Sequence, residues 1–298
     1  MQNTLWDTHL TEIETEPMIE NVDCRLGMTG LSSNSVSLIL TDPPYFIDGM
    51  GSDWNTTKLR RRVKPGVVGA LPAGMKFSPQ QAKDLENFLS PIAQEWMRII
   101  RPGAFCLVFS QNRLAHRSTI ALENAGFEIR DTLLWKYEGQ AKAFTQDHFV
   151  RKSSLPEDEK KRLITKLGGR KTPQLKPQGE TIILAQAPRE GTFVENWDKW
   201  ETGLIDVSDP LVDTAKFPGT VIPVPKTKER YGHMTAKPVI LLRHLIRIFC
   251  APKALVLDPF SGSGSTGVAC LYEGRNFLGY EIETEMAKVA NRRLKEML

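Results

Sequence analysis

The chain has 298 residues, of which 41% are hydrophobic and 25% are charged, and it carries a formal net charge of +4. This composition is typical of a globular protein with room for one large domain plus an insertion, or for two small domains. No apolar run approaches the ~18 residues that a membrane span requires, and the polar, acidic start of the chain argues against a secretory signal. The four cysteines form no CxxC pair, so we expect neither a metal site nor disulfides, and a cytoplasmic location.

The first half of the chain predicts alternating strands and helices. The apolar run at 35–41 predicts a buried strand that ends at Asp42-Pro43-Pro44-Tyr45, because proline neither continues a helix nor donates to a central ladder. Ser78 predicts a helix start, and Pro91 predicts a kink or a break inside that helix. The predicted elements that follow are a helix at 78–100, a helix stop at 101–103, a strand at 104–110, a helix at 113–125 and a strand at 127–137.

Residues 138–232 have a different character, since they are rich in charge, Pro and Gly and show no sustained period. A short apolar run at 181–187 is compatible with a strand. Such a length without a regular pattern is typical of a functional insertion. The α/β pattern then resumes with an amphipathic helix at 238–250, a strand at 254–258, a Gly/Ser turn, a helix to about Glu273, a strand at 276–282 and a final helix to Leu298.

Positive charge is concentrated in two segments. Residues 58–64 hold five cations and no acid, and residues 151–176 hold nine cations and three acids. This asymmetry favours a polyanionic partner, although runs of charge also occur in solvated loops.

A glycine-rich turn follows the predicted strand at 254–258. Gly262 and Gly264 allow the backbone to turn tightly and to approach a ligand, and the next helix presents free N–H groups that favour an anion. Glu281 ends the following strand, where a carboxylate accepts hydrogen bonds from ribose hydroxyls. Together these features predict a nucleoside-type cofactor, and the missing P-loop lysine excludes an ATPase. Asp258 favours a ligand with an ammonium group, such as S-adenosylmethionine, over a dinucleotide.

The Asp-Pro-Pro-Tyr turn predicts chemistry at an amino nitrogen. An exocyclic amino group of a base is a poor nucleophile because its lone pair is delocalised into the ring. The Asp42 carboxylate and the Pro43 carbonyl can accept its two N–H bonds and localise that lone pair, while Pro43 and Pro44 hold the acceptors in place. Tyr45 offers a face on which an extruded base stacks. No nucleophilic cysteine is required, which distinguishes this route from carbon-5 methylation of cytosine.

These motifs resemble those of the DNA amino-methyltransferases, which share Asp/Asn/Ser-Pro-Pro-Tyr/Phe/Trp and Phe-x-Gly-x-Gly. The motifs lie here at 42–45 and 260–264, and this order is similar to that of the family's beta group, in which the motif order is permuted. The resemblance runs from about Asn21 to the C-terminus. It implies a Rossmann-like, circularly permuted α/β methyltransferase sheet, S-adenosylmethionine as cofactor, double-stranded DNA as partner and direct transfer to a flipped base.

The resemblance also implies which residues contact the cofactor. The segment 233–238 is similar to a His-x-Thr-x-Lys-Pro stretch beside the methionine end, and 22–24 is similar to the strand end beside the adenine. Phe260 is implied to pack beside the cofactor, and Ser265 and Thr266 to hold its carboxylate. The implied cofactor-binding residues are Asp23, His233, Thr235, Lys237, Asp258, Phe260, Gly262, Gly264, Ser265, Thr266 and Glu281.

A permuted sheet would be assembled from both ends of the chain. Four acids, Asp23, Asp42, Asp258 and Glu281, are then expected at one carboxyl edge. The predicted parts are a catalytic half at 21–137 with a basic loop at 49–76, a target-recognition insertion at 138–232, and a cofactor-binding half at 233–298.

The basic segments supply the candidate DNA contacts, since lysine and arginine bind phosphates and give a salt-dependent affinity. These candidates are Lys58, Arg60, Arg61, Arg62, Lys64, Arg151, Lys152, Arg170 and Lys171. A homodimer is implied by the resemblance alone.

Several alternatives remain open at the level of the sequence. Asp42 favours adenine N6 as a family tendency, whereas Phe46-Ile47-Asp48 departs from the family pattern and leaves cytosine N4 open. A methyltransferase of RNA or of protein glutamine would use a related turn. A nicotinamide-dependent oxidoreductase would leave the Asp-Pro-Pro-Tyr turn and the basic segments unexplained. The intact acids and glycines argue against a DNA-binding protein without activity.

Overall fold

Strands from both ends of the chain meet in one sheet in the computed structural model, which describes residues 18–44, 78–141, 143–212, 217–227 and 236–298. Within these residues the strands are β1 (Met18–Glu20), β2 (Val36–Thr41), β3 (Ile100–Ser110), β4 (Glu128–Lys136), β5 (Gly179–Gln186), β6 (Val221–Pro223), β7 (Leu255–Asp258) and β8 (Asn276–Tyr280). Their order across the sheet is β1-β8-β7-β2-β3-β5-β4-β6. The last two strands of the chain therefore lie between the first two.

The sheet is mainly parallel, as the sequence predicts for an α/β fold. In the series β1-β8-β7-β2-β3, each strand pairs parallel with the next one. Strand β6 pairs parallel with β4. Among the described strands only β5 runs against its neighbours, β3 and β4. The carboxyl ends of the parallel strands therefore share one edge of the sheet, and β5 begins at that same edge.

Helices cover both faces of the sheet. They are α1 (Cys24–Gly27), α2 (Pro79–Ile99), α3 (Ala115–Asn124), α4 (Asp147–Lys152), α5 (Glu157–Leu167), α6 (Phe193–Trp200), α7 (Val239–Phe249), α8 (Ser265–Glu273) and α9 (Thr284–Lys295). In β2, Leu38 and Leu40 face the core that includes α7 and α8, whereas Ile39 faces the core that includes α2 and α3. Such two-sided burial is typical of a central strand in a parallel sheet. None of the described helices is long and apolar enough to cross a membrane.

Helix α2 does not break at Pro91, where the sequence predicts a kink or a break. Ser78 caps the helix as predicted, through its side-chain oxygen. Pro91 is exposed, while Leu89 and Trp96 are fully buried beneath the helix. An interior proline costs ~3 kcal/mol, but each large apolar side chain that is buried contributes ~1.5–3 kcal/mol. The buried stripe of the helix therefore outweighs its proline.

The stop predicted at 101–103 is confirmed for helix α2, which ends at Ile99, but the next strand begins earlier than predicted, since residues 101–103 already lie within β3. Ile100 pairs with Val36 and Phe105 pairs with Leu38, so β3 carries extra residues between the two pairs. Gly103 accommodates this irregularity with a φ of 75°, a conformation that glycine adopts without steric cost.

The predicted insertion at 138–232 does not stand apart from the sheet. Its apolar run at 181–187 falls largely within β5, which lies between β3 and β4, and the insertion also supplies β6. Helices α4 and α5 lie between the end of β4 and the start of β5, so this part projects from the carboxyl edge. An ion pair of 2.6 Å between Lys176 and Glu138 joins its two ends.

Candidate active site

The Asp-Pro-Pro turn lies at the carboxyl end of β2, at the centre of the sheet. All six residues of β2 are buried, and the strand ends where Pro43 and Pro44 remove the backbone N–H groups that a ladder needs. Pro43 is buried, whereas Asp42 and Pro44 are half-buried and lie at the edge. Tyr45 lies outside the described residues, and so do His233 and Thr235.

Lys237 contacts the Asp-Pro-Pro turn directly. Its ammonium forms an ion pair with Asp42 and a second ion pair, of 2.9 Å, with Oε1 of Glu180. The Lys237 side chain is only 7% exposed. Burial by itself lowers the pKa of this ammonium, but the charges of the two carboxylates and the hydrogen bonds to them outweigh burial and raise the pKa above its ordinary value. Lys237 thus lies at the Asp42 carboxylate, and its place beside the methionine end of the cofactor, which the resemblance implies, stays a prediction.

Asp258 joins the two motifs. It ends β7 beside β2, and its carboxylate accepts hydrogen bonds from the Thr41 hydroxyl at 2.7 Å and the Thr266 hydroxyl at 2.6 Å. The Phe260 backbone N–H donates to the same carboxylate at 3.1 Å. Burial raises the pKa of Asp258 to about 6, and these hydrogen bonds act in the opposite direction. Because Thr41 directly precedes Asp42, the glycine turn and the Asp-Pro-Pro turn are connected through the buried side chain of Asp258.

Thr266 therefore has a contact other than the one that the sequence predicts. Its hydroxyl proton is donated to Asp258, so this hydroxyl cannot also donate to a cofactor carboxylate. Other donors at this position are the Ser265 hydroxyl and the backbone N–H groups in the first turn of α8, which begins at Ser265.

The glycine turn has the backbone conformation that its sequence requires. Gly262 has a φ of 50° and Gly264 a φ of 76°, both in the left-handed region where other residues are strained. Gly264 is the N-cap residue of α8, so the turn leads directly into the helix N-terminus. The turn thereby places the free N–H groups of a helix start at the carboxyl edge, beside Asp258.

Glu281 is fixed against the glycine turn. Its Oε2 accepts the Gly262 N–H at 2.9 Å, and its Oε1 accepts the Glu283 N–H at 2.8 Å. Burial is the main reason that the pKa of Glu281 is raised. Each carboxylate oxygen still has a second lone pair, so the side chain can accept a further donor such as a ribose hydroxyl.

Phe260 and Asp23 have contacts within the protein. The Phe260 ring lies 5.9 Å from the ring of Phe88, which belongs to α2. Asp23 caps α1, and a hydrogen bond from the Arg25 guanidinium is the main cause of the lowered pKa of its carboxyl. Asp23 follows β1 closely, so it lies at the same edge as Asp42 and Glu281.

The candidate DNA contacts fall into two groups. Lys58, Arg60, Arg61, Arg62 and Lys64 lie outside the described residues. The other four candidates are all exposed. Two of them, Arg151 and Lys152, lie at the end of α4, and the other two, Arg170 and Lys171, follow α5. These four cations therefore lie in the segment that projects from the carboxyl edge.

The sequence analysis misses three residues of this site. Glu180 is the second partner of Lys237, and Thr41 is a donor to Asp258. Gly279 packs against the glycine turn, since a Cβ at this position would lie 2.1 Å from the Ser261 hydroxyl oxygen. The sequence gives only a weak indication of Glu180 and Thr41, as polar residues at the ends of strands, and no local pattern identifies Gly279. Among the described residues, no group of three or more His, Cys, Asp or Glu side chains could hold a metal ion.

The fold and this edge define the class of protein. A mostly parallel α/β sheet holds an acidic Pro-Pro turn next to a glycine turn at a helix N-terminus, which is the arrangement that the sequence predicts for an amino-methyltransferase. Residues 36–292 match the family model described as DNA methylase. The match spans most of the chain, so the chain belongs to the DNA methylase family and is an S-adenosylmethionine-dependent DNA amino-methyltransferase.

Individual proteins are similar to this chain to different extents. The type II methyltransferase M.HindIII of Haemophilus influenzae is 28% identical over 304 residues, covering 93% of this chain and 94% of its own length. The DNA adenine methyltransferase YhdJ of Escherichia coli is 41% identical over 83 residues, which are 26% of this chain and 28% of its own. The solved structure of the cytosine-N4-specific PvuII DNA methyltransferase has a TM-score of 0.58 at 15% identity and covers 95% of this chain and 94% of its own.

Proposed function

We propose that this enzyme methylates the N6 amino group of adenine in double-stranded DNA, and that Asp42 and Pro43 activate that amino group. The observation that carries this proposal is the Asp42 carboxylate, which lies at the end of β2 with an ammonium on one side and the glycine turn on the other. A preorganised acceptor at a sheet edge is the arrangement that an amino nucleophile needs.

The residues of the edge fit S-adenosylmethionine. When bound, this cofactor supplies an electrophilic methyl group on a sulfonium. The N–H groups at the start of α8 suit its carboxylate, and the fixed carboxylate of Glu281 suits its ribose hydroxyls. Asp258 contributes by fixing the turn, since its carboxylate already accepts hydrogen bonds from Thr41 and Thr266.

The catalytic turn acts on the amino group of the base. The Asp42 carboxylate and the Pro43 carbonyl accept its two N–H bonds, and the nitrogen lone pair becomes localised. Held by the start of α8 and by Glu281, S-adenosylmethionine would supply its methyl group to this lone pair and would leave as a neutral thioether. The nitrogen loses one proton, for which the Asp42 carboxylate is the acceptor in this proposal. Buried Pro43 and the ion pair with Lys237 hold both acceptors before the base arrives.

The choice of adenine rests on the identity of one side chain. Asp, rather than Ser, stands at the first position of the catalytic turn, and this favours adenine as a family tendency. The adenine methyltransferase YhdJ supports the same choice over the part that aligns. The PvuII methyltransferase has a similar fold and acts on cytosine N4, so the fold does not select the base.

Mass spectrometry of nucleosides tests this proposal. We expect N6-methyladenine in DNA from cells that express the chain, and none above background in DNA from cells that express Asp42→Ala. Modification-sensitive sequencing of the same DNA then gives the target sequence and its symmetry. N4-methylcytosine in place of N6-methyladenine would contradict the choice of base, and unmodified DNA would contradict the proposed substrate.

The proposed chemistry requires that the target base leave the DNA double helix, because an amino group inside a duplex cannot reach the half-buried Asp42 carboxylate at the carboxyl edge of the sheet. The segment that holds α4 and α5 projects from this edge and carries Arg151, Lys152, Arg170 and Lys171. We infer that these cations bind phosphates on either side of the extruded base, with the basic segment at 58–64 as a second contact.

A variant with four alanine substitutions is expected to bind DNA more weakly and with a smaller salt dependence. The substitutions replace Arg151, Lys152, Arg170 and Lys171. Each lost phosphate contact lowers the slope of log affinity against log salt by ~0.9. Fluorescence anisotropy over a salt series measures the slope, and loss of all four contacts changes it by about 3 to 4.

A matched control removes four exposed cations that lie near the opposite edge of the sheet. These are Arg189, Lys199, Lys253 and Lys295. The control variant should keep the wild-type slope. Equal slopes in the wild type and in the first variant would exclude the projecting segment as a DNA contact.

A further inference from the structure

Glu180 lies beside the catalytic turn although it belongs to neither motif. It occupies the second position of β5, and because β5 runs against its neighbours, this start of the strand lies at the carboxyl edge. Its Oε1 is 2.9 Å from the Lys237 ammonium, and its side chain is 15% exposed. The strand that carries Glu180 is thus oriented so that an acid reaches the lysine that contacts Asp42.

Lys237 is held by contacts from several elements. Asp42 approaches from the end of β2 and Glu180 from the start of β5. The Phe109 ring of β3 lies 4.9 Å from the ammonium, as measured to the ring centroid. Tyr137, which follows β4, lies close enough to interact with both charges. Burial raises the pKa of its hydroxyl, the charge of Glu180 adds to this rise, and the charge of Lys237 opposes it.

A lysine needs more than one partner to act as a fixed point. Its ammonium is a compact charge on a flexible four-carbon stem, and it has three donors. An ion pair with Asp42 alone would leave the stem free to move together with the carboxylate. A second carboxylate on a different strand restricts the ammonium, and the restricted ammonium in turn restricts Asp42. The position of an acceptor matters because a displacement of ~1 Å at a reacting group costs about 100-fold in rate.

We infer that Glu180 is a positioning residue for methyl transfer, which acts through Lys237 to hold the Asp42 carboxylate where the target amino group arrives. This role rests on the proposed function of Asp42 and adds a residue from β5 to it. Glu180 itself contacts neither the base nor the cofactor in this role.

The variant Glu180→Gln keeps the size of the side chain and removes its charge. We expect kcat for methyl transfer to fall by ~10- to 100-fold, with the KM for S-adenosylmethionine and the Kd for DNA unchanged. A loss in KM or in DNA affinity with kcat retained would overturn the inference. Tritiated methyl transfer measures the kinetics, and calorimetry and anisotropy measure the two binding reactions.

Glu273→Gln is the matched control. Glu273 is also a buried carboxylate bound to two cations, with distances of 2.6 Å to Arg243 and 2.5 Å to Arg247. It lies at the C-terminal end of α8, away from the carboxyl edge at which this helix begins. We expect this control to lose thermal stability while keeping the wild-type kcat. An equal loss of kcat in both variants would assign the effect of Glu180 to general stability, and the inference would fail.

Two more variants separate position from stability. Glu180→Asp keeps the charge and should restore part of the kcat that Glu180→Gln loses. In a Lys237→Met background, Glu180→Gln should cause no further loss, because the two residues act through one contact. Additive losses would refute the inference even if Glu180→Gln lowers the melting temperature.

The outcome for Asp42 separates this inference from the proposed function. If Asp42→Ala is inactive and Glu180→Gln is as active as the wild type, only the role of Glu180 is wrong. If Asp42→Ala stays active, the proposed function of the catalytic turn is wrong.

Discussion

The variant Asp42→Ala is expected to lose methyl transfer by at least ~10³-fold while its affinity for S-adenosylmethionine stays near that of the wild type. The carboxylate is one of the two acceptors that the proposed mechanism assigns to this turn, and the Pro43 carbonyl that remains would accept only one of the two N–H bonds of the amino group. The fold should survive the change, because Lys237 keeps its ion pair with Glu180 and its ammonium is not left without a carboxylate.

Single-turnover kinetics and calorimetry measure the two quantities separately. Asp42→Asn is the stricter variant, since it retains one acceptor oxygen and changes only charge and donor pattern. Asp198→Ala removes an exposed carboxylate from α6, away from the edge, and should be fully active. Activity within ~10-fold of the wild type in Asp42→Ala would be incompatible with an essential acceptor role.

The variant Gly264→Val should have the opposite profile, with binding of S-adenosylmethionine reduced by about 100-fold, or ~3 kcal/mol. Gly264 has a φ of 76°, which a β-branched residue adopts only with strain. Its Cβ would also lie 3.0 Å from Ala290 and from Ile19, so both neighbours would have to give by a few tenths of an ångström, and the two γ methyl groups of valine add to the crowding. The turn must shift, and the N–H groups at the start of α8 lose their orientation.

Gly274→Val provides a control on the same helix. Gly274 ends α8 with a φ of 64°, and nothing lies within 4 Å of a Cβ at that position. This control has similar backbone strain without the clash and without proximity to the carboxyl edge. It should lower stability and leave calorimetric binding of S-adenosylmethionine unchanged. Equal loss of binding in the two glycine variants would show that the effect is one of stability alone.

Together, Asp42→Ala and Gly264→Val separate catalysis from cofactor binding. The first variant should bind the cofactor without turnover, and the second should fail at the binding step. Thr41 and Asp258 connect the two turns, so a change in this connection should affect both properties.

Local chemistry explains which parts of the site could be predicted. Proline ends β2 at Thr41, just before Asp42, and glycine permits the left-handed turn at Gly264, so each motif could be assigned to a strand end from its own residues. Pro91 shows the limit of such reasoning, since its local preference to break a helix is outweighed by burial of the residues around it.

Contacts between distant segments could not be predicted. Lys237 meets Asp42 across a separation of 195 residues, and Thr41 meets Asp258 across 217. Glu180 lies in a region whose sequence shows no sustained period, and its role depends on the reversed direction of β5. Periodicity describes a single element, whereas these contacts depend on which strands become neighbours.

The sequence by itself determined the end of β2 before Asp42, the glycine turn before α8 and the α/β class, because those properties depend on residues that are adjacent along the chain. Only the tertiary structure decided that β5 enters the sheet between β3 and β4, and that Lys237 lies between Asp42 and Glu180. The physical reason is that strand order follows from burial of both faces of the sheet, and it brings together side chains whose proximity is recorded in no local pattern.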